Sequence, residues 1–360
     1  MVDGVSSSVS KLPPIVQIVR RFGPVGGMER YVWELTCGLE KVGISVTVVC
    51  EEVCSEIPNG IKILTVPSSP SRPRWKSMLY FRERVSEVIK DGALAGSILH
   101  SHERTKGHHL TTFHGPPIAE NSRLSPLQLL SKRIRNWHAM EREELLAESV
   151  QVVLPVSSWL LGRLLDCHHD LSMKSLRVAW PGVDDLDRIA LPGHGSDTRF
   201  LFVGKEWARK GLREATRIIE SYRQLTGIEA TLDVFGPTAD SLPREIRNLP
   251  YLSCRGWSES INYSEYAALI HPARAEPFGM VVTEARRAGL PVVCSDRTGA
   301  GELSSKGISV VGLEKNWNDW AKAIAKLIQL DSVRDPEILW SWDDLVSLYI
   351  REIYPSIQVC

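Results

Sequence analysis

The stretch IVQIVRRFGPVGGMERYVWELTCGLEKVGISVTVV, residues 15–49, contains a complete strand, helix and strand. Its two ends, residues 15–19 and 44–49, are short, apolar and β-branched, which is typical of strands buried on both faces of a parallel sheet. Between them apolar residues recur at three- and four-residue steps, and Gly43 ends the predicted helix. These apolar residues are Met28, Tyr31, Val32, Leu35, Leu39 and Val42. The stretch therefore predicts an α/β fold that begins with a βαβ unit.

The same alternation of strand and helix continues along the chain in two series. Further strands are predicted at residues 98–100, 152–156, 200–203, 231–235, 267–270, 292–294 and 308–311, and further helices at residues 213–225 and 281–288. Between the series, DDLDRIALPGHGSDT at residues 184–198 breaks every period and predicts a linker. We expect two Rossmann-like, doubly wound parallel-sheet domains, residues 1–185 and 190–339. Residues 340–360 are a candidate helix that packs back on the first domain.

Composition limits the classes of function that fit the chain. With 360 residues, of which 43% are hydrophobic and 24% charged, two soluble α/β domains are the natural expectation. Lys+Arg and Asp+Glu both number 43, so no overall field would attract nucleic acid. The first 22 residues contain only a five-residue apolar run, which predicts a cytoplasmic protein, free or at the inner face of the cytoplasmic membrane. The seven cysteines suit small buried residues, although Cys50 and Cys54 as a redox pair is an alternative.

A first glycine-bearing loop joins the first predicted strand to the first helix. It ends in Gly26 and Gly27, where the backbone can approach a ligand and the helix offers unpaired N–H groups. A phosphate or a sugar would fit there, and a simple tight turn is the alternative. The pattern is not G-x-G-x-x-G, so it does not indicate a dinucleotide-dependent dehydrogenase.

A second loop, GKEWARKG at residues 204–211, directly follows a predicted strand of the second series. Ligands of open α/β sheets bind at the carboxyl ends of the strands, so Lys205 and Lys210 are placed to neutralise a pyrophosphate. A solvated basic turn is the alternative interpretation.

The third segment, RAEPFGMVVTE at residues 274–284, places two carboxylates around the start of a helix. Glu276 stands in the loop and Glu284 about one turn into the helix. The backbone N–H groups that could hold a phosphate belong to Phe278, Gly279, Met280 and Val281. Carboxylates accept hydrogen bonds from paired hydroxyls, so Glu284 suits a ribose and Glu276 the transferred sugar. A polar position on an amphipathic helix is the alternative for Glu284.

EPFGMVVTE is similar to the E-x7-E motif of retaining, GT-B-fold glycosyltransferases of family 4 (glycosyl transferases group 1). GGMERY, FVGKEWARKGL and AGLPVVCSDRTGAGE fit the same family in order, so the resemblance covers nearly the whole chain. It implies two Rossmann-like domains facing across a cleft. It also implies a hexosyl-type transferase that uses a nucleoside diphosphate sugar, with neither a cofactor nor a metal ion.

The resemblance also implies roles for individual residues. His114, in TTFHGPP, matches the histidine beside the reacting sugar, and Glu276 would position that sugar, so these two are the candidate catalytic residues. Glu302 matches a further acid. The implied donor-binding residues are Gly26, Gly27, Lys205, Lys210, Phe278, Gly279, Met280, Val281 and Glu284. Two features depart from the family: Lys205 stands where arginine is commoner, and residues 102–114 are too few for the helix that many relatives insert there.

Four alternatives to this interpretation are considered. Residues 100–114 contain five histidines, which could suggest a metal, but no acid cluster or zinc spacing accompanies them. Asp185 and Asp187 form a D-x-D in the predicted linker, where we do not expect metal-dependent chemistry. A nucleotide-sugar epimerase and a non-catalytic nucleotide-sugar binding protein would share the fold and the donor pocket.

The donor and the acceptor are predicted only as classes. A UDP-sugar is favoured, followed by a GDP-sugar, and the acceptor is expected to be a growing lipid-linked or lipopolysaccharide-type glycan. Basic and aromatic stretches in the first domain predict either a peripheral contact with an anionic membrane or solvated helix faces. Their residues are Arg72, Arg74, Trp75, Lys76, Arg82, Arg84, Lys132, Arg133, Arg135 and Trp137.

Overall fold

A computed structural model describes residues 12–69, 73–118, 131–184, 198–303, 305–330, 337 and 339–359. The chain divides into two compact units. The first consists of Met1–Gly182 with Trp342–Cys360, and the second of Val183–Ser341. Most of the predicted linker, including Asp185 and Asp187, lies outside the described residues.

Both units are built on parallel sheets. The strands of the first unit are β1 (Ile15–Ile18), β2 (Arg21–Phe22), β3 (Val46–Cys50), β4 (Glu52–Val53), β5 (Lys62–Thr65), β6 (Ile98–Ser101), β7 (Leu110–Phe113), β8 (Val152–Pro155) and β9 (Ser175–Leu176). Those of the second are β10 (Arg199–Val203), β11 (Thr231–Phe235), β12 (Leu252–Gly256), β13 (Ala268–His271), β14 (Val292–Ser295) and β15 (Ile308–Val311). The predicted α/β fold with two parallel-sheet domains is thereby confirmed.

Helices connect most of these strands. In chain order they are α1 (Gly27–Lys41), α2 (Arg74–Lys90), α3 (Lys132–Leu146), α4 (Ser158–Cys167), α5 (Leu212–Thr226), α6 (Arg244–Arg247), α7 (Met280–Arg287), α8 (Trp317–Ile328) and α9 (Trp342–Leu348). A π-helical turn, Tyr349–Ile353, follows α9. Helix α1 buries Tyr31, Val32, Leu35 and Leu39 of the predicted apolar face, whereas Met28 is partly buried and Val42 is exposed. Gly38 leaves no room for a side chain, because a Cβ there would lie 2.4 Å from Val346 of α9.

In each sheet, successive strands are added first on one side of the first strand and then on the other, and this change of direction (the strand reversal) marks where a ligand site is expected. The first sheet runs β5-β3-β1-β6-β7-β8-β9, so the chain returns across β1 to place β6 beside it. The second runs β12-β11-β10-β13-β14-β15, with the same reversal between β10 and β13. Ligands of doubly wound sheets bind beyond the carboxyl ends of the strands that flank such a reversal.

Each unit has its own apolar core. In the second unit Phe200, Phe202 and Ile270 of the sheet pack in one buried cluster with Ile218 of α5 and Trp320 of α8. In the first unit two clusters pack against β1 and β3, one of them with Phe81 of α2 and the other with Val32 of α1.

Six strands in the described residues were missed by the sequence analysis: β2, β4 and β9, which have two residues each, and the longer β5, β7 and β12. β7 has the sequence LTTF, and its two threonines are buried because they form hydrogen bonds with side chains inside the unit. β5 and β12 lie at the edges of their sheets and are only partly buried, so both lack the continuous apolar run of a central strand. The predicted strands are all present, with ends displaced by no more than two residues.

Candidate functional site

In the second unit, the strand reversal between β10 and β13 gathers the predicted residues of two separate loops. Lys205 and Lys210 lie in the loop after β10, and Glu276 lies in the loop after β13. The Lys210 Nζ atom is 3.2 Å from the Glu276 carboxylate, whereas Lys205 is exposed and makes no ion pair within the described residues. The structure therefore brings Lys210 and Glu276 together and leaves the Lys205 ammonium in solvent.

Two glycines permit this close approach of loops. A Cβ on Gly204 would lie only 2.2 Å from the Lys210 Cδ atom, so the stem of Lys210 occupies the space that a side chain would need. Gly236, after β11, has a φ of +114°, and a Cβ there would lie 2.7 Å from the backbone of Gly204 and Lys205. Position 236 requires glycine because of the backbone beside it, whereas glycine at 204 leaves the space that the flexible Lys210 stem occupies.

Glu276 is a buried carboxylate that is kept ionised by neighbouring cations. It is 7% exposed, and besides Lys210 it contacts Arg209 Nη1 at 3.3 Å and His271 Nε2 at 3.7 Å. Burial alone would raise its pKa, but Lys210, His271 and Arg209 outweigh burial and hold the pKa well below its usual range. The sequence analysis missed Arg209 and His271, although Arg209 stands directly before Lys210.

His271, at the end of β13, is fully buried beneath this loop. Burial lowers the pKa of its imidazole, and neither ring nitrogen forms a hydrogen bond within the described part of the chain. The only signal for it in the sequence is its position at the carboxyl end of a central strand.

Helix α7 begins directly beyond Glu276. Gly279 precedes its first residue with a φ of +94°, and a Cβ on Gly279 would lie 3.1 Å from the Glu276 Cγ atom and 3.2 Å from Thr298. The glycine therefore lets the carboxylate lie against the start of the helix, where Met280 and Val281 are the first two residues. Phe278 is buried, and its carbonyl accepts a hydrogen bond from the Ala300 N–H.

Glu284 lies on α7 and receives a hydrogen bond that was not predicted. The Tyr263 hydroxyl donates to its Oε2 atom at 3.3 Å, from a short 3-10 turn that precedes β13. Because Tyr263 is itself buried, it limits where the Glu284 carboxylate can point. Glu302, the further predicted acid, is exposed at the end of the 3-10 turn Gly299–Glu302.

In the first unit, His114 follows β7 and lies against a second histidine. Its Nε2 atom is 3.0 Å from Nδ1 of His102, which follows β6, and His102 Nε2 is 2.8 Å from Oε1 of Gln17 on β1. Tyr31 of α1 packs edge-on against the His114 ring, with 4.9 Å between ring centroids. Burial lowers the pKa of both histidines, so both are neutral at physiological pH. Gln17, Tyr31 and His102 were missed as site residues.

The Gly26-Gly27 loop differs in detail from expectation. Gly26 precedes α1 in an extended conformation (φ −162°), so it needs no left-handed backbone. The glycine that does is Gly23, with a φ of +145° and a Cβ position 3.0 Å from Cys54. Gly26 and Gly27 thus mark the start of the helix, while Gly23 makes the turn.

The alternatives that involve metals and cysteines receive no support from the described residues. No group of three or more His, Cys, Asp or Glu side chains there is arranged to hold a metal ion. The five histidines instead form hydrogen bonds to neighbouring protein groups, as His108 does to the Glu144 carbonyl. Cys50 and Cys54 are both free, and burial raises the pKa of Cys50 to about 11.

The proposed membrane-contact residues divide into exposed and buried ones. Arg82 is buried and paired with Glu143, so it cannot contact a membrane surface. Trp137 is partly buried and packs against a core cluster with Arg104 over its ring. Exposed cations on α2 and α3 are Arg74, Lys76, Lys132, Arg133 and Arg135. Arg72 lies outside the described residues. No helix in the part described is long and apolar enough to cross a membrane.

Two family models match consecutive parts of the chain. Residues 25–185 match the model described as Glycosyltransferase Family 4, and residues 197–330 match the model described as Glycosyl transferases group 1. One match falls in each α/β unit, and together they cover most of the chain. The chain is a GT-B glycosyltransferase.

Solved structures share this GT-B fold over nearly their whole length. WaaG, a glycosyltransferase involved in lipopolysaccharide biosynthesis, has a TM-score of 0.72 at 16% identity, covering 94% of this chain and 96% of its own. Sucrose-phosphate synthase from Thermosynechococcus elongatus has a TM-score of 0.72 at 17% identity, covering 95% and 98%. Among sequence relatives, glycogen synthase of Mycobacterium tuberculosis is 22% identical in an alignment of 345 positions that covers 82% of this chain and 78% of the relative.

Proposed function

We propose that this glycosyltransferase moves a hexosyl group from a nucleoside diphosphate sugar to a hydroxyl of a growing glycan, with retention of anomeric configuration and without a metal ion. The observation that carries the proposal is the buried Glu276 carboxylate, held ionised by Lys210 and Arg209 beside the start of α7. Fixed cations and a helix N-terminus suit a diphosphate, while a carboxylate suits the hydroxyls of a sugar.

The leaving diphosphate is proposed to bind between the two loops of the second unit. Lys205, exposed and unpaired within the described residues, and Lys210 would neutralise its charge. The backbone N–H groups of Phe278, Gly279, Met280 and Val281 would donate to its oxygens. Cationic groups that are already in place when charge develops on a leaving group supply several kcal/mol of transition-state stabilisation, about 3 to 4 for one donor.

The remaining parts of the donor are assigned to the two carboxylates. Glu284, oriented by Tyr263, would accept hydrogen bonds from the ribose hydroxyls. Glu276 would accept hydrogen bonds from the transferred sugar, because its lowered pKa keeps it ionised at neutral pH. His114 of the first unit is proposed to contact the same sugar, and Gly26 and Gly27 to line the phosphate and acceptor side.

The proposed chemistry exchanges one bond at the anomeric carbon for another. The bond from this carbon to the diphosphate oxygen breaks, and a bond from the acceptor hydroxyl oxygen to the same carbon forms. The hydroxyl proton passes to the departing diphosphate, so the products are a glycoside and a nucleoside diphosphate. No side chain of the protein serves as a covalent nucleophile in this scheme, and the protein contributes position and electrostatics.

A UDP-sugar is the favoured donor, followed by a GDP-sugar. Among proteins of similar fold, Anabaena HepE is described in complex with UDP and glucose, and a starch synthase from Arabidopsis thaliana with ADP and acarbose. The acceptor is proposed to be a lipopolysaccharide-type or other cell-surface glycan. The exposed cations of α2 and α3 would then contact the anionic headgroups of the membrane that carries it.

Ligand-dependent thermal unfolding tests the donor site. UDP, GDP, ADP and CMP, alone and as sugar conjugates, would be added to wild type, to Glu284→Ala and to a control, Glu220→Ala, which removes an exposed carboxylate from α5. A ligand at 100 times its dissociation constant stabilises the folded state by about 2.7 kcal/mol. We expect one nucleotide to stabilise wild type and the control but not Glu284→Ala.

Product analysis then separates transfer from other uses of the same pocket. With a radiolabelled donor sugar, we expect label in a glycan acceptor and release of the nucleoside diphosphate. Label that stays on the nucleotide as an epimer, or a stabilising nucleotide whose sugar is never consumed in the presence of acceptors, would contradict the proposal.

A further inference from the structure

His114 is the first member of an unbroken chain of side-chain hydrogen bonds that runs through the interior of the first unit. The chain ends at a backbone carbonyl, that of Ala179. A carbonyl can only accept a hydrogen bond, so the Tyr31 hydroxyl, 3.4 Å away, must donate to it. This single fixed acceptor sets the direction of every hydrogen bond before it.

The hydroxyls nearest the carbonyl follow from this constraint. The Tyr31 hydroxyl donates its one proton to the Ala179 carbonyl, so the Tyr31 oxygen accepts a hydrogen bond from the Tyr349 hydroxyl at 3.0 Å. Tyr349 in turn accepts from Thr112 at 2.7 Å. Each hydroxyl has one proton, so the Thr112 oxygen must accept its other hydrogen bond.

The donor to Thr112 is His100, whose Nε2 atom is 2.8 Å away and therefore carries a proton. Burial lowers the pKa of His100 well below its usual value, so the ring is neutral and its Nδ1 atom has no proton. Nδ1 accepts from the Tyr354 hydroxyl at 3.1 Å. The Tyr354 oxygen then accepts from Nε2 of Gln17 at 3.1 Å, which fixes the orientation of the Gln17 amide.

The amide orientation determines the state of the last two rings. Oε1 of Gln17 faces His102 Nε2 at 2.8 Å, so that nitrogen carries the proton of a neutral His102. Its Nδ1 atom is then an acceptor and receives a hydrogen bond from His114 Nε2 at 3.0 Å. His114 is left with an unprotonated Nδ1 atom, which makes no hydrogen bond within the described residues.

We propose that this chain is a positioning relay that holds His114 as its Nε2–H tautomer and presents Nδ1 to the substrate as a hydrogen-bond acceptor. The proposal rests on the role in transfer proposed above for His114. An unprotonated Nδ1 accepts from a hydroxyl and has nothing to donate to an anion. The site would therefore favour a sugar with a neutral hydroxyl over one with a carboxylate at the position that His114 contacts.

The relay makes two C-terminal tyrosines positioning residues for a histidine more than 230 positions earlier in the sequence. Tyr349 and Tyr354 belong to the segment that follows α9, and both hydroxyls are buried. Neither forms a hydrogen bond with His114, so both act on it through other members of the relay, Tyr349 through Tyr31 and Tyr354 through Gln17 and His102.

The tautomer can be measured without any substrate. Nitrogen-15 NMR of histidine-labelled protein distinguishes protonated from unprotonated ring nitrogens, and His114→Gln identifies the His114 signals by their loss. We expect wild-type His114 to carry its proton on Nε2. A proton on Nδ1, or a rapidly exchanging mixture, would overturn the proposal whether or not the protein proves to be a glycosyltransferase.

Two variants test the link to the C-terminal segment. Tyr354→Phe removes the hydroxyl that joins Gln17 to His100, and we expect it to convert His114 to a tautomer mixture. If each relay bond is worth an ordinary neutral hydrogen bond, kcat should fall about three- to tenfold with little change in KM for the donor. The matched control is Tyr251→Phe in the second unit, which removes a hydroxyl that donates to the Thr216 carbonyl.

The outcomes separate the relay from the proposed function. An unchanged His114 spectrum in Tyr354→Phe would refute the relay even if transfer activity were lost. A wild type that shows the expected tautomer but transfers no sugar would refute the proposed function and leave the relay standing. Activity toward a hexose donor should also exceed activity toward the matching uronic acid donor, and the reverse preference would contradict the acceptor role of Nδ1.

Discussion

Glu276 in the second unit and Glu144 in the first are both buried carboxylates, yet their pKa values move in opposite directions. Lys210, His271 and Arg209 hold the pKa of Glu276 well below its usual range although burial acts to raise it. Burial raises the pKa of Glu144 to about 7, and the opposing effect of Arg104 is smaller because its Nε atom is 3.9 Å away. The two carboxylates are buried to a similar depth, so the number of nearby cations and their distances decide whether each carboxylate is ionised.

The difference extends to the whole of each site. The strand reversal of the second unit concentrates ions, which suits a ligand that carries the charge of a diphosphate. The corresponding reversal in the first unit carries neutral histidines joined to hydroxyls and an amide, which suits the uncharged hydroxyls of sugars. The two units thus place two kinds of side-chain chemistry, ionic and neutral, at the same point of one topology.

The largest effect is expected from removing the charge of Glu276. Glu276→Gln keeps the size of the side chain but leaves Lys210 and Arg209 facing a neutral amide, so we expect kcat to fall about 10²- to 10³-fold. Steady-state transfer kinetics would measure this. Glu206→Gln is the matched control, because Glu206 pairs with the same Arg209 at 2.6 Å but is exposed. Equal losses in both variants would mean that Arg209, not the Glu276 carboxylate, matters.

A second test alters the ionic site, which consists of Lys205, Lys210, Arg209, Glu276 and Glu284, without replacing a charged residue. Gly204→Ala places a methyl group where the Lys210 stem now lies, and since that stem is flexible we expect the fold to survive while Lys210 moves away from Glu276. Donor affinity should fall about tenfold, as for losing one charged hydrogen bond. Isothermal titration would measure it, with Gly162→Ala as the control, because a Cβ there meets no atom within 4 Å.

The double variant sharpens this test. In a Lys210→Ala background, Gly204→Ala should reduce donor affinity little further, since the two changes act on the same side chain. Additive losses would show that Gly204 acts through its backbone instead.

The ionic site was largely predictable from sequence, and the neutral one was not. Lys205 and Lys210 are five residues apart, Glu276 and Glu284 eight, and both pairs follow strands that hydrophobic pattern alone identifies. Local spacing therefore carried most of the prediction. The prediction omitted residues that come close to the site only when the chain folds, such as Tyr263, whose hydroxyl donates to Glu284 although the two are 21 positions apart.

The relay of the first unit depends on contacts far apart in sequence. Gln17 bonds Tyr354 across 337 positions and Tyr31 bonds Tyr349 across 318. No periodicity links such residues, and from the histidines in residues 100–114 the sequence analysis selected only His114, by resemblance, and kept a metal site as an alternative. The same reason explains β7, whose threonines look unsuited to a core strand until their hydroxyl partners are known.

The neutral interior of the first unit is expected to show in the pH dependence of stability. The pKa of Glu144 is raised to about 7, so the stability gained from its folded-state proton is fully present below the unfolded pKa near 4.5 and is lost as pH rises through 7. Glu144→Gln lacks this contribution. Between pH 8 and 5.5, wild type should gain about 1 to 2 kcal/mol relative to the variant.

Urea unfolding at the two pH values would measure this difference. The comparison with the variant is needed because neutral His100, His102 and His108 act in the opposite direction. Their depressed pKa values cost stability as pH falls below about 6.5 and the unfolded chain takes up protons. If the free energy of unfolding of Glu144→Gln instead rises relative to that of wild type at low pH, Glu144 is ionised in the folded protein.

The smallest expected effect concerns the hydrogen bond by which the Tyr263 hydroxyl orients the Glu284 carboxylate. Tyr263→Phe removes the donor to Glu284, and at a 3.3 Å distance we expect a loss of about 1 kcal/mol, or about fivefold in nucleotide affinity. Tyr266→Phe is the control, because its hydroxyl donates to the Asp233 carboxylate at 3.1 Å. In Glu284→Ala, the change at Tyr263 should have no further effect on affinity. An effect that persists there would mean that Tyr263 contacts the nucleotide itself, and that orientation of Glu284 is left to the helix.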